Sequence, residues 1–413
     1  MPTESPKYDF PGKADWFREY NEDYHSDPYP FYRKLLREEP MVYVEERSMW
    51  IASGYDDVSF ILKDPKFVRE LRNAVPDHQP SATPPEWKPI SDLASHWMLF
   101  RDPPVHTRLR GLVSHAFTPR TMERLRPRIR SIAGDLAKDM PNEQNPDLLA
   151  GFAFPLPVIV IAEMLGVPAE DREIFKEWSN TIARLLDIAL LPPDFVQHAG
   201  QVALAMREYF QDLIAERKRR PREDMISDLL SAREQGDHLS EEELISTCVL
   251  LLVAGHETTV NLISNGMYLL LQHPEQHRRL QQHPEHMRTA IEEVLRYESP
   301  VQMTSRIAAA DLELGGMQIR QGQQVSVLLA AANRDPSQFA EPDQFDVMRL
   351  PNRHLAFASG PHFCLGAPLA RMEGEIALSV LLESYPHMQL TGQKPKWRPN
   401  ILFRGLQSLN VKI

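Results

Sequence analysis

Cysteine is scarce in this chain: its 413 residues include only two, Cys248 and Cys364. So few thiols exclude a disulfide-stapled secreted scaffold, and their separation argues against a zinc site built on closely spaced thiolates. The sequence allows a disulfide between the two, but a reducing compartment disfavours it. Each cysteine therefore requires its own explanation.

The sequence also lacks a long, strongly apolar run and an excess of basic residues. The most apolar stretch, residues 248–255, is far shorter than the roughly 20 residues needed to cross a bilayer. Residues 1–15 have neither the basic start nor the apolar centre of a signal peptide. Asp and Glu outnumber Lys and Arg by 57 to 46, and the net charge of −11 disfavours nucleic acid as a partner. We therefore expect a cytoplasmic protein with no membrane and no nucleic-acid partner.

Helix-start signals are clear in the middle of the chain. Asp102 and Thr118 are each followed by proline, which suits the first turn of a helix. Ser240 and Glu243 form a capping box, and the helical pattern after it continues to about residue 272. A helix of that length normally runs through the centre of a domain.

The remaining patterns predict a mainly α protein with small β-sheets, folded as a single domain over residues 1–413. Residues 103–300 form the helix-rich part, and residues 72–92 are predicted to be an irregular loop. The other predicted features are short strands at 41–44, 50–52 and 325–329, a loop at 333–363, and a last helix from about 365 to 383.

The most informative segment is residues 357–366, where glycine and proline punctuate a loop that brings Cys364 to the start of the last helix. The positive end of a helix dipole favours a thiolate. Such a thiolate could ligate haem iron, or it could act as a nucleophile with His362 as a base. A buried structural cysteine is the third interpretation.

The pattern Phe-x-x-Gly-x-His-x-Cys-x-Gly resembles the haem-binding loop of the cytochrome P450 family. Its defining positions are Phe357, Gly360, His362, Cys364 and Gly366. The resemblance, which spans residues 20–410, implies heme b with the Cys364 thiolate as axial ligand. It also implies the P450 fold, in which haem lies between the long central helix and the cysteine-bearing loop with the last helix.

One position of the loop departs from that pattern. Bacterial members commonly have glycine where Ala358 stands. Because alanine is the smallest possible change, we expect slight retuning of the loop and no loss of haem.

Glu293 and Arg296 lie three residues apart and so share a helix face. Alone this is a weak signal, since most such pairs are exposed. The resemblance implies a buried ion pair that locks its helix to the cysteine loop. Family members often supply an arginine where Gln344 stands, and we expect Arg349 to replace it as the third member.

Residues 254–259 interrupt the long helix with poor helix formers, including Gly255 and two threonines. The resemblance implies that Ala254 and Gly255 make room for O₂ in a local kink of the helix. It also implies that Thr258 hydrogen-bonds the bound oxygen while Glu257 relays protons.

His106 and Arg110 lie at i and i+4 on one helix face and could grip the same anion, although a solvated basic face has the same pattern. The resemblance implies that His106, Arg110, Arg306 and His362 bind the haem propionates.

A basic stretch follows the predicted helix start at Asp102. In the family this region docks an electron-transfer protein, so we expect a ferredoxin or flavodoxin with its reductase, and electrons ultimately from NAD(P)H. The arginines in question are Arg101, Arg108, Arg120, Arg124, Arg126, Arg128 and Arg130.

The resemblance implies a pocket of apolar residues and hence a hydrophobic small-molecule substrate. Fatty acids, terpenoids, steroids and macrolides or other polyketides all remain open. Residues 190–193 are expected to belong to a lid. The pocket candidates are Trp97, Met98, Phe100, Leu185, Leu251, Val301, Met303, Ile401, Leu402 and Phe403.

The predicted activity is that of a monomeric haem-thiolate monooxygenase, which inserts one atom of O₂ into the substrate by hydroxylation or epoxidation. An H₂O₂-driven peroxygenase is an alternative, but members of that type usually lack the acid–alcohol pair present here. A non-enzymatic haem-based gas sensor is the other alternative, and it would not need that pair.

Overall fold

The computed structural model describes residues 22–78, 82–140, 145–185, 194–233 and 236–413. The predicted lid at residues 190–193 lies outside these ranges. Within them the chain is mainly α-helical with small sheets, as predicted. The helices are α1 (Glu22–Ser26), α2 (Tyr29–Glu38), α3 (Tyr55–Lys63), α4 (Leu71–Ala74), α5 (Lys88–Ala94), α6 (Val105–Ser114), α7 (Pro119–Lys138), α8 (Pro155–Leu165), α9 (Arg172–Arg184), α10 (Phe195–Arg219), α11 (Met225–Ser231), α12 (Glu241–Gln272), α13 (Pro274–Gln282), α14 (Met287–Tyr297), α15 (Leu329–Ala332) and α16 (Ala367–Ser384).

The strands form one five-stranded sheet, with the order β1-β2-β7-β4-β3, and two small antiparallel pairs. In the large sheet β2 pairs with β7 in parallel. The pairs β1–β2, β4–β7 and β3–β4 are antiparallel. The strands are β1 (Met41–Val44), β2 (Met49–Ala52), β3 (Phe67–Val68), β4 (Thr304–Ala308), β5 (Leu312–Leu314), β6 (Met317–Ile319), β7 (Gln324–Val327), β8 (Gln389–Leu390) and β9 (Val411–Lys412).

Helix α12 is the central rod of the fold. Its 32 residues would span about 48 Å, and it packs against α8, α9, α10, α14 and α16. The predicted capping box is present: Ser240 Oγ accepts from the Glu243 amide, and the Glu243 carboxylate accepts from the Ser240 amide. Among the described residues α12 alone is long and apolar enough to span a membrane, but 72% of its most apolar window is buried inside the protein. That burial is typical of a core helix.

Among the residues that the structure describes, the apolar core has three clusters. The largest joins α12 to the surrounding helices, the second lies between α3 and the large sheet, and the third packs α1 and α2 against the other face of that sheet. Helix α16 therefore belongs to the same core as α12. This packing fixes the loop before α16 relative to the middle of α12.

Three predictions need correction. Residues 72–92 are not wholly irregular, because α4, a 3₁₀ turn at Pro85–Trp87 and α5 lie within or overlap that range. Asp102 does not cap a helix: α6 begins at Val105, and the Asp102 carboxylate instead accepts from the amides of Arg69 and Glu70. The last helix begins two residues later than predicted.

Candidate active site

The Cys364 thiol lies at the amino end of α16. Its own amide donates to the carbonyl of Phe357 at 3.0 Å, which folds the loop back on itself. Burial raises the pKa of the thiol, whereas the Gly366 amide and the guanidinium of Arg110 act in the opposite direction. The sulfur thus lies among groups that favour its thiolate form, although burial has the larger effect on its pKa.

Backbone conformation explains two positions of the loop. Gly360 has φ +70°, and a Cβ there would lie 2.4 Å from the carbonyl oxygen of Leu62 in α3, so only glycine fits. Ala358 has φ +56°, a left-handed conformation that costs any residue with a Cβ some strain. The glycine that bacterial relatives commonly have at position 358 would remove that strain.

Two of the predicted anion-binding histidines are adjacent. The rings of His106, on α6, and His362, in the cysteine loop, have centroids 4.2 Å apart. Arg110 Nη2 donates to the carbonyl of Phe363 at 2.7 Å, which ties α6 directly to the loop. Burial, followed by the positive charges nearby, lowers the pKa of His362 to about 2.

Two arginines from the sheet region lie near these histidines. The buried Arg306, which was expected to bind a propionate, lies on β4, and the partly buried Arg69 follows β3. Each donates from Nη1 to the Ser305 carbonyl, at 2.7 and 2.6 Å respectively. Burial lowers the pKa of Arg306 to about 9 and that of Arg69 to about 10. Arg69 belongs to no motif that could be recognised in the sequence, because only the pairing of β3 with β4 brings it to this cluster.

This cluster fits a dianionic group. Among the described residues, no carboxylate lies within ion-pair distance of the guanidinium groups of Arg69, Arg110 or Arg306. Buried His106 Nε2 and Trp97 Nε1 also lack a hydrogen-bond partner among those residues. Buried polar groups and charges normally have partners. The two propionates of heme b, with iron at the thiol, would supply them.

Glu293 and Arg296 form a fully buried ion pair on α14, with Arg296 Nε 2.8 Å from Glu293 Oε2. Arg349 Nε donates to Glu293 Oε1 at 3.1 Å, so it occupies the third position of the network. The Asp346 amide and Asn352 Nδ2 also donate to the same carboxylate.

The segment that precedes the cysteine loop is held by these cations through its backbone. Arg296 donates to the carbonyls of Asn333, Pro342 and Gln344, and Arg349 also donates to the Gln344 carbonyl. Gln344 therefore takes part through its backbone oxygen.

A second ion-pair network, which the sequence analysis did not predict, connects α14 to α16. Glu292, the neighbour of Glu293, makes a bidentate contact with Arg371 of α16 at 2.6 and 2.8 Å. It also lies 3.1 Å from His354 Nε2. Arg371 in turn lies over the Phe357 ring, 4.5 Å from its centroid. Hydrogen bonds from His354 and Arg371 outweigh burial and lower the pKa of Glu292 to about 2.

On α12 the predicted acid and alcohol both have partners. Thr258 Oγ1 donates to the carbonyl of Ala254 at 2.8 Å, one turn earlier on the same helix. Glu257 forms a short ion pair with Arg398 from the C-terminal segment. Gly255 packs loosely against Ile161, where a Cβ would make ordinary contact. Helix α12 is continuous through all these positions.

The pocket candidates fall into two groups. One group packs with the helical core: Trp97, Met98, Phe100, Leu185 and Leu251. The other group lies around a β-bridge between Val301 and Phe403: Val301, Met303, Ile401, Leu402 and Phe403. Of the second group, Met303 and Ile401 pack against the N-terminal cluster.

Most of the predicted docking arginines are engaged by carboxylates. Arg108 pairs with Glu243, and Arg101, Arg126, Arg128 and Arg130 also have carboxylate partners. Arg124 is exposed, and its Nη2 lies 3.5 Å from Oε2 of Glu223, which is also exposed. Arg120 is exposed, and no ion pair to it occurs among the described residues. The basic surface available to a redox partner is therefore smaller than the seven arginines suggested, and it centres on Arg120 and Arg124.

Comparison with known proteins gives a consistent relationship. The cytochrome P450 family model matches residues 16–407. The biotin biosynthesis cytochrome P450 of Bacillus subtilis (strain 168) is 44% identical over 387 residues, which cover 93% of this chain and 96% of that protein. The polyketide biosynthesis cytochrome P450 PksS of the same organism is 39% identical over 406 residues, with 96% and 98% covered.

A solved structure agrees with these sequences. P450BioI in complex with an acyl carrier protein ligated with hexadec-9Z-enoic acid has a TM-score of 0.87 at 43% identity, covering 95% of this chain and 99% of that one. The chain therefore belongs to the cytochrome P450 family and is a monooxygenase with the P450 fold.

Proposed function

We propose that the chain is a haem-thiolate monooxygenase that oxidises a long acyl chain by hydroxylation or epoxidation. The observation that carries the haem site is the group of cations without carboxylate partners near the Cys364 thiol. Cys364 would ligate the iron of heme b, and His106, Arg110, Arg306, His362 and the unpredicted Arg69 would bind its propionates. When bound, the haem supplies the activation of O₂.

The residues of the loop hold the thiol in place. Phe357, Gly360 and Gly366 shape the turn, while Glu293, Arg296 and Arg349 fix the segment before it. Arg371 and Glu292 extend the same support to α16. A ligand held by residues that are themselves hydrogen-bonded keeps its orientation.

Proton delivery is assigned to the acid–alcohol pair on α12. Thr258 would donate a hydrogen bond beside the haem once its hydroxyl turns away from the Ala254 carbonyl. Glu257 would pass protons inward from solvent, while Ala254 and Gly255 leave space next to the helix. This pair favours O₂ with external electrons over a peroxide-driven reaction.

The substrate class is inferred from the relatives. The protein in the solved complex binds a carrier-linked C16 acyl chain, and PksS is a polyketide biosynthesis enzyme. The apolar candidates Met98, Phe100, Leu251 and Phe403 are compatible with such a chain. We propose a fatty-acyl substrate, either free or on an acyl carrier protein.

Electrons would come from a ferredoxin or flavodoxin, reduced ultimately by NAD(P)H. The surface around Arg120 and Arg124 would attract such an acidic partner. We further propose that the whole chain works as one domain, as a monomer in the cytoplasm.

The test is a titration of the purified haem protein, monitored at the Soret band. Hexadec-9-enoic acid, free and linked to an acyl carrier protein, is compared with a steroid such as testosterone. We expect a low-spin to high-spin shift with the acyl ligands at lower concentration than with the steroid. A shift with the steroid alone would contradict the acyl assignment and leave the haem assignment intact.

A further inference from the structure

The C-terminal segment reaches the acid of α12 through one side chain. Residues 397–406 form a hairpin, closed by the bridge between Trp397 and Leu406. From this hairpin Arg398 extends Nη1 to Oε1 of Glu257. The Glu257 side chain is only 9% exposed, whereas that of Arg398 is 29% exposed. The guanidinium therefore connects a nearly buried carboxylate to solvent.

No other cationic group among the described residues pairs with the Glu257 carboxylate in place of Arg398. His256 lies beside Glu257 on α12, but burial lowers its pKa to about 3, with Arg398 and Lys176 adding to the effect. Its ring instead contacts Ser179 Oγ at 2.9 Å. Lys176, on α9, lies close to the Phe154 ring. Among the described residues, Arg398 alone is within ion-pair distance of Glu257.

The hairpin is fixed to the residues that follow α14. The Arg404 amide donates to the Pro300 carbonyl at 2.9 Å, and the Gln302 amide donates to the Leu402 carbonyl at 2.8 Å. At the tip, Asn400 Oδ1 accepts from the amides of Leu402 and Phe403. The turn that carries pocket candidates 401–403 is thus internally hydrogen-bonded.

The base of the hairpin lies directly on α12. Arg398 donates its amide to the Gly405 carbonyl at 2.9 Å. A Cβ on Gly405 would lie 2.0 Å from Oδ1 of Asn261, one turn after Glu257. Asn265 Nδ2 donates to the carbonyl of Arg404 at 2.9 Å. These contacts fix the backbone from which Arg398 extends relative to α12, the helix that carries Glu257.

We infer that Arg398 is a positioning residue for proton delivery: it holds the Glu257 carboxylate from the hairpin that also carries pocket candidates 401–403. The inference rests on the proposed role of Glu257 as a relay. A carboxylate fixed by one ion pair has a defined geometry, and small displacements of a catalytic group have large effects on rate. Releasing it should therefore impair proton delivery more than folding or haem binding.

The experiment uses the haem-loaded protein, three test variants and Glu257→Gln as a spectroscopic reference. Arg398→Gln removes the charge, Arg398→Lys retains it, and Lys396→Gln is the matched control because it removes an exposed charge from the residue just before the hairpin. Infrared spectra identify the Glu257 carboxylate bands as those absent from Glu257→Gln. Circular dichroism and the Soret band report folding and haem content.

We expect the Glu257 bands to shift in Arg398→Gln, to return towards their original position in Arg398→Lys, and to stay unchanged in Lys396→Gln. With hexadec-9-enoic acid and a redox partner, Arg398→Gln should form product about tenfold more slowly, release more peroxide per electron pair and show a larger solvent isotope effect. Arg398→Lys should recover most of the product.

Unchanged Glu257 bands in Arg398→Gln would overturn the inference, whether or not the fatty acid is a substrate. Unchanged peroxide release and isotope effect in a wild type that oxidises the fatty acid would overturn it as well. A wild type that binds no haem would instead refute the proposed function, and the infrared comparison would still decide the contact between Arg398 and Glu257.

Discussion

Replacing Glu293 by glutamine tests the buried network that fastens the segment before the cysteine loop. The carboxylate accepts five hydrogen bonds: two from Arg296 at 2.8 Å, and one each from Arg349, Asn352 and the Asp346 amide. Glutamine keeps the shape of the side chain but removes its negative charge. Its NH₂ group would also face N–H donors of the neighbouring residues, which it cannot accept from. Arg296, which is fully buried, would then lack a counter-charge.

The expected loss of stability is large. Removing one partner from a buried ion pair costs about 3–5 kcal/mol, against a typical total free energy of unfolding of about 5–15 kcal/mol. Guanidinium chloride unfolding of the haem protein, followed by circular dichroism and the Soret band, measures that loss. We expect Glu293→Gln to unfold at clearly lower denaturant and to release haem earlier.

Glu123→Gln is the matched control. Glu123 and Arg126 have the same i,i+3 spacing, but their side chains are 65% and 41% exposed. An exposed pair contributes about 1 kcal/mol or less. A loss below about 1 kcal/mol in Glu293→Gln, indistinguishable from that control, would refute the argument that the buried network holds this part of the fold.

Three further changes test other parts of the site. Thr258→Ala should lower product per electron pair about tenfold and release peroxide instead; full coupling would contradict its role in proton delivery. Arg120→Glu with Arg124→Glu should slow reduction by an acidic ferredoxin and weaken the salt dependence of that rate, as measured by stopped flow; unchanged kinetics would place the partner elsewhere. His256 should make unfolding pH-dependent, because its pKa falls from 6.5 to about 3 on folding. The unfolded chain then binds a proton that the folded one does not, so stability decreases below about pH 6.5. At about pH 5 this amounts to about 2 kcal/mol, and urea unfolding of His256→Asn should lack that loss.

Much of the fold and the site could be predicted because local patterns agreed with one another. Ser240 and Glu243 fixed the start of α12 through a capping box, which depends on a few adjacent residues only. The cysteine loop was recognisable from five positions of a ten-residue pattern, and the structure explains one of them, because a Cβ at Gly360 would meet the Leu62 carbonyl. Arg349 was identifiable as a nearby cation that could replace the arginine missing at position 344.

What the sequence did not predict depends on contacts between distant segments. Arg69 reaches the cationic cluster because β3 pairs with β4, and Arg398 reaches Glu257 across 141 positions of sequence. Glu292 belongs to no motif in the sequence, although its carboxylate accepts two hydrogen bonds from Arg371 of α16. Asp102 precedes proline, as a helix cap often does, but its carboxylate instead accepts hydrogen bonds from three groups of residues 69–73.

The most direct test of the central claim is X-ray absorption at the iron edge of the purified haem protein. We predict one sulfur ligand to iron in the wild type and in Cys248→Ala, since Cys248 is a residue of α12 whose side chain is buried in the protein core. Cys364→His should lose the sulfur ligand and the monooxygenase activity together. A protein without a haem Soret band, or a sulfur ligand retained in Cys364→His, would contradict the assignment of Cys364 as the iron ligand.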